Sequence, residues 1–239
     1  MPTEEPVPPR LVATIGMHAS ASTWVFNVVR ELLVATVGEH QVKALYADER
    51  AQVPESDGQY LLIKSHHGSQ GLDDWLASSN ARIFLSVRDP RDACISMSQR
   101  FRSPLGHTAQ WIANDCNRLL RLEPLGHPLL RYEDRFFEDK MAANRVAQAL
   151  DVHLAPAVID GIFDRYSTEA VRTFAQTLEE LPPERLTTVV TFQMDRVTQI
   201  LGPHIGDTRS GKWRGLPIEA QTQLTRVFRP FLDRFGYPC

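Results

Sequence analysis

The stretch from Ile83 to Met97 reads Ile-Phe-Leu-Ser-Val-Arg-Asp-Pro-Arg-Asp-Ala-Cys-Ile-Ser-Met. An apolar, strand-like run ends at Arg88, Asp89 and Pro90 interrupt it, and a helical pattern follows. Aspartate is a good helix N-cap and proline suits the first helical position, so the spacing predicts a strand that ends as a helix begins. Ser96 then falls about two turns along that helix. A guanidinium fork leaving a strand, with a hydroxyl at this spacing, can grip one phosphate group.

The same alternation extends outward in both directions. Upstream, Arg10–Ile15 reads as a strand, Gly16–Ser22 as a small-residue loop, and Thr23–Val37 as a helix stopped by Gly38. Residues 38–58 are mixed in character and are expected to contain an exposed loop, Tyr60–His66 reads as a second strand and Ala81–Arg88 as a third. Downstream come helices over Pro90–Gln99 and His107–Leu122, a strand over Pro128–Tyr132 and a helix over Glu138–Leu150. The remainder is expected to be helical at Pro156–Phe163, Thr168–Leu178, Glu184–Leu201 and Pro217–Phe235, with a polar loop at Gly202–Gly215. Strands alternating with helices predict an α/β fold with a central parallel sheet flanked by helices. Ligands of such sheets bind at the carboxyl ends of the strands, where the candidate motifs fall.

Composition narrows the setting. A formal net charge of −3 argues against a generic nucleic-acid binder. Three cysteines without a CxxC pair build no disulfide framework, which fits a reducing cytoplasm. No apolar run approaches the roughly 18 residues of a membrane span, and Met1–Pro6 lacks the features of a signal peptide. Residues 1–9, rich in Pro and Glu, read as a flexible tail ahead of one domain over 10–239.

A second phosphate-type loop, Gly16-Met-His-Ala-Ser-Ala-Ser-Thr-Trp24, joins the first strand to the first helix. Small residues let the backbone curl around an anion, and a helix N-terminus adds free amides and a favourable dipole. The Gly-Lys pair of a Walker A loop is missing. An ordinary strand-to-helix turn explains this loop equally well when it is read alone. Two anion grips in one chain suggest a nucleotide held at both of its anionic ends.

Taken together, these segments resemble the sulfotransferases that use 3′-phosphoadenosine 5′-phosphosulfate (PAPS). In that family a Pro-Lys-Ser-Gly-Thr-Thr-Trp loop binds the 5′-phosphosulfate; His18-Ala-Ser-Ala-Ser-Thr-Trp24 is similar to it but has Ala19 in place of the lysine. By that resemblance Ser20, Ala21, Ser22 and Thr23 would hold the 5′ end, and Trp24 would stack on adenine. Arg88 and Ser96 look like the family's 3′-phosphate pair. Tyr132-Glu-Asp134 is similar to a segment whose tyrosine lies near adenine. Gly211-Lys-Trp-Arg214 resembles a loop that closes over the cofactor, with Arg209, Lys212 and Arg214 as anion contacts. The resemblance implies a P-loop-type three-layer fold, PAPS as donor with PAP as product, a small-molecule hydroxyl, phenol or amine as acceptor, and no metal.

The candidate base lies in Leu61-Leu-Ile-Lys-Ser-His-His67, similar to the Lys-Thr-His strand end whose histidine is the family's general base. An imidazole with an ordinary pKa near 6.5 is suited to take a proton from an attacking hydroxyl. Strand alternation puts Lys64 and His66 on one face and His67 on the other. Lys64 is the expected substitute for the missing lysine, and His18 the second choice. Asp48, Glu49 and Glu55 are reserve bases. Trp75, Trp111, Phe136 and Phe137 are core or acceptor-pocket candidates, with loops 38–58, 100–108 and 177–186 shaping that pocket. Arg91 and Arg102 read as surface charges. Two other functions compete: a P-loop kinase-like phosphotransferase, disfavoured by the missing Walker lysine, and a non-catalytic PAP- or nucleotide-binding module, motivated by Ala19.

Overall fold

Strand alternation decides the layering of the computed structural model, which describes residues 8–239. In β1 (Leu11–Gly16), β3 (Tyr60–Ser65) and β4 (Arg82–Val87), residues Val12, Leu62 and Phe84 face one core. Ala13, Ile15, Leu61, Ile63, Ile83 and Leu85 face the other. Both faces are therefore apolar, as a parallel sheet covered on two sides requires. The first core is closed by α1 (Ser22–Val37), α5 (Lys140–Ala149) and α6 (Pro156–Arg165). The second is closed by α2 (Gln70–Ser78), α3 (Pro90–Phe101), α4 (Leu105–Leu122) and the C-terminal helix over Ile218–Phe235.

All pairs in the main sheet are parallel, in the order β2-β3-β1-β4-β5, with β2 at Val42–Tyr46 and β5 at Leu129–Arg131. The chain leaves β1 toward one edge and β4 toward the other. A crevice therefore opens between the carboxyl ends of these two neighbours. Asp89 caps α3 by accepting from the Arg91 amide at 3.0 Å, with Pro90 at the first helical position.

The sequence reading fails in three places. Residues 38–58 contain β2, a half-buried edge strand whose short pattern Val42-Lys-Ala-Leu-Tyr46 alternates only weakly. Helix α2 was not expected, although Ser69 caps it by accepting from the Leu72 amide. The helix expected over Glu184–Leu201 is instead a hairpin of β6 (Leu186–Val189) and β7 (Phe192–Asp195). Five successive β-branched residues, Thr187 to Thr191, explain this: their stiff side chains favour a pleated ribbon. Helix α7 (Thr168–Gln176) completes this side, and the last helix, Ile218–Phe235, is α8. The expected tail at residues 1–9 lies outside the described residues except for Pro8, which is buried, and Pro9.

The β1–β4 contact leaves no room at its carboxyl end. A Cβ on Gly16 would lie 2.1 Å from Ser86 Oγ and 2.7 Å from Ser22 Cβ. We expect Gly16→Ala to lower stability by about 1–3 kcal/mol, the usual range for overpacking, as measured by urea unfolding.

Candidate active site

The loop after β1 is built by its own side chains. Ser20 is fully buried, bonds the Met17 carbonyl at 2.7 Å and meets Ser86 Oγ at 2.9 Å. Its hydroxyl is turned into the sheet and does not reach the cavity above. Ala19 and Ala21 both sit at φ of 60°, in the left-handed region. Ala21, Ser22, Thr23 and Trp24 line a cavity of about 710 Å³. Trp24 is buried edge-on to Phe136 and Phe163, and its indole N–H has no partner.

Arg88 leaves β4 directly across the crevice. Its Nη1 donates to Ser96 Oγ at 3.2 Å and to the Ala19 carbonyl at 2.9 Å. Nη2 donates to the Arg209 carbonyl at 2.8 Å, while Nε is buried without a partner. The guanidinium lies 3.9 Å from the centre of the Tyr132 ring, a cation–π distance. Arg88, Ser96, Tyr132 and the loop after β1 therefore meet in one place.

The segment after β3 supplies the titratable groups. Strand β3 ends at Ser65, one residue before the expected end, so alternation lapses and Lys64, His66 and His67 all line the cavity. Lys64 Nζ donates to Thr23 Oγ1 at 2.6 Å. Burial, with Arg100 nearby, pulls its ammonium down to about 7. His66 Nδ1 meets the Gly16 carbonyl at 2.5 Å, which puts the proton on Nδ1 and leaves Nε2 as the acceptor. Burial and the neighbouring His18 and Lys64 hold its pKa well below the ordinary value, so the ring is neutral at pH 7.

His18 and His67 share a carboxylate that the sequence reading did not find. Asp115 on α4 is buried, 2.8 Å from His18 Nδ1 and 3.1 Å from His67 Nδ1. Burial raises its pKa and the two imidazoles lower it, with the imidazoles prevailing. The nearby Asp115 carboxylate raises the His67 pKa. These three residues bring ligand atoms within 4.8 Å of one another, the one such group among the described residues able to hold a metal ion. The ring of His18 stacks on His66 with centroids 3.9 Å apart. Asp115 lies 97 residues from His18, a separation that no local motif reveals.

Other expected residues lie elsewhere. Asp48 braces the turn after β3 by accepting from Ser65 Oγ and the His66 amide. Glu49 forms a capping box with Gln52, and Glu55 pairs with Arg50. Trp75 also packs on Arg50, whereas Trp111 and Phe137 line the cavity. Arg209 pairs with Asp207 and is largely exposed, and Arg214 packs over the Trp213 ring, so neither side chain lines the cavity; Lys212 does. Arg91 is fully buried rather than a surface charge: it holds Asp89 and lies 3.6 Å from the Trp213 ring centre. Asp92, also unexpected, accepts from the Gly211 and Trp213 amides at 2.5 and 3.0 Å and fastens the C-terminal loop. Residues 177–186 do not line the cavity; Val189, Val190 and Met194 of the hairpin do, with Arg100 and Phe101 from α3. No helix among the described residues is long and apolar enough to cross a membrane.

No protein-family model matches the chain, and no curated protein matches it. Solved structures do. Retinol dehydratase with retinol and PAP is 14% identical, with a TM-score of 0.60 over 95% of this chain and 82% of that one. Retinol dehydratase with androsterone and the inactive cofactor PAP gives 15%, 0.59, 95% and 82%. Mouse sulfotransferase SULT7A1 with PAP is 11% identical, with a TM-score of 0.64 over 94% of this chain and 85% of that one. The parallel sheet, its flanking helices and the crevice between β1 and β4 thus belong to a known architecture: this chain has the sulfotransferase fold.

Proposed function

We propose that this protein transfers a sulfuryl group from PAPS to a hydroxyl-bearing small molecule, with His66 as general base. The observation that carries the reading is the company His66 keeps. One crevice holds a neutral imidazole with a free Nε2, a loop with free amides at a helix N-terminus, and Arg88 joined to Ser96. The side chains fit a doubly anionic nucleotide. Lys64, Arg88 and Arg100 make no salt bridge among the described residues, and no Asp or Glu lines the cavity. Buried cations left unpaired are costly, and a bound anion supplies the missing charge.

The donor supplies the sulfuryl group and its phosphate leaving group. Arg88 and Ser96 hold the 3′-phosphate, while Tyr132 and Trp24 flank the base. The loop amides, Ser22 and Thr23 hold the 5′ end. His66 takes the acceptor proton on Nε2 as the acceptor oxygen attacks sulfur. Lys64, already bonded to Thr23, donates to the oxygen on which charge builds as the old S–O bond breaks. That contribution stands in for the lysine that Ala19 replaces. Apolar side chains such as Phe101, Val171, Met194 and Leu201 suit an apolar acceptor, as retinol and androsterone are in the similar structures.

Three measurements test this reading. Arg88→Ala should weaken PAP by about 2–3 kcal/mol in calorimetry while leaving adenosine 5′-phosphosulfate, which lacks the 3′-phosphate, nearly unchanged. Equal losses for both ligands would give Arg88 a different role. His66→Ala should lower turnover by roughly 10²–10⁴-fold and preserve PAP affinity, while His67→Ala loses little. Because the His66 pKa is depressed, the base stays unprotonated on acidification, and the acid limb of kcat/KM should lie below the ordinary histidine range. Lys64→Met should cost about 10²–10³ in the rate of PAP formation with a much smaller effect on PAP affinity. PAP binding without any PAPS turnover across acceptors would instead mark a binding module.

A further inference from the structure

Lys64 and Arg88 have roles toward the donor and Lys212 pairs with Asp207 at 2.8 Å, which leaves Arg100 as a cation of the cavity wall without one. Arg100 stands on α3 one turn beyond Ser96, so the two share a helix face directed at the cavity. Arg88 already serves Ser96. The contact recorded for Arg100 is a single one: Nη2 donates to the His204 carbonyl at 2.7 Å. A guanidinium carries five donors, and this one has no carboxylate partner among the described residues. Arg102, two residues on, lies beyond the end of the helix in the left-handed region, so the placement of Arg100 belongs to the last turn of α3 itself.

The surroundings of Arg100 are cationic or apolar. Burial and the nearby Arg88 pull its guanidinium down to about 10. Arg100, together with burial, in turn lowers the Lys64 ammonium, and both cations depress His204. Arg100 and Lys64 line the same cavity, and no carboxylate lines it with them. Phe101, next along the chain, begins the apolar half of the cavity. Arg100 thus stands where the phosphate-binding half gives way to the half suited to an acceptor.

We propose that Arg100, lining the same cavity as Lys64, forms an oxyanion subsite at its reacting end, distinct from the Arg88–Ser96 grip and from the loop grip for the 5′ end. The inference rests on the PAPS reading and extends it. The ligand chemistry is a compact group with several anionic oxygens, and a planar guanidinium fork matches such a group by bidentate bonding. Two sources offer it: the sulfuryl group of the donor, or an acid group carried by the acceptor.

Calorimetry on the intact protein separates these sources without any need for turnover. Wild type, Arg100→Gln and Arg100→Lys are titrated with PAP and with PAPS. A second set, saturated with PAP, is titrated with 4-hydroxybenzoate and with the neutral 4-hydroxybenzamide. Loss of a charge-assisted bond predicts that Arg100→Gln weakens PAPS about tenfold or more while PAP stays within about twofold, with partial recovery in Arg100→Lys. That result assigns the subsite to the sulfuryl group. Equal PAP and PAPS affinities, with an Arg100-dependent preference for hydroxybenzoate over hydroxybenzamide, assign it to an acid on the acceptor. Retained PAP affinity in the variants shows that they fold. The subsite is overturned if Arg100→Gln weakens PAP and PAPS equally, or leaves PAP, PAPS and hydroxybenzoate all unchanged. Failure of the wild type to bind either nucleotide overturns the donor reading itself, and the subsite with it.

Discussion

The close approach of Gly16 to Ser86, at the carboxyl ends of two adjacent parallel strands, is the constraint on which the rest of the site depends. With no side chain at Gly16, Ser86 Oγ fills the space that a Cβ would take, and Ser20 bonds to it from the loop. The Met17 amide bonds the Ser86 carbonyl at 2.9 Å, so the loop departs at a fixed angle. The Gly16 carbonyl meets His66 Nδ1 and orients that ring. One small residue thereby sets the path of the loop after β1 and the tautomer of an imidazole.

Electrostatics then divides the molecule. Carboxylates close to the cavity are turned away from it and hold cations or amides: Asp89 holds Arg91, Asp92 holds two loop amides, and Asp115 holds two imidazoles. The residues lining the cavity are left with positive charge alone. Such a surface stores unfavourable self-energy in the free protein. An anion relieves it, and the released energy adds to binding.

The parallel sheet was legible because its strands are continuous apolar runs with clear turn signals, and Asp89-Pro90 marks one helix start without ambiguity. The pairing of Arg88 with Ser96 was legible for the same reason, since both lie on one short stretch of chain. The hairpin was misread because Thr187–Thr191 lies in a stretch whose flanking residues carry helical periodicity; β-branching proved the stronger signal. Asp115, Asp92 and Arg91 were missed for another reason. Their partners lie 97, 119 and 122 residues away, and such pairings exist only once the chain has closed on itself. Arg209 and Arg214 show how a loop's sequence leaves side-chain direction open. Their positions in the sequence suggested contact with an anion, but the backbone turn sends Arg209 outward and Arg214 over Trp213.

The bond from Arg88 Nη2 to the Arg209 carbonyl ties the end of a strand to the C-terminal loop. The same loop is held by Asp92 at the Gly211 and Trp213 amides, by Arg100 at the His204 carbonyl and by Arg172 at the Gly206 carbonyl; on the proposed donor reading, the Arg209 carbonyl and an incoming phosphate compete for the Arg88 guanidinium. Occupancy of Arg88 and the resting position of residues 203–211 are then two readings of one equilibrium. By linkage, whatever shifts the loop shifts the affinity by the same factor.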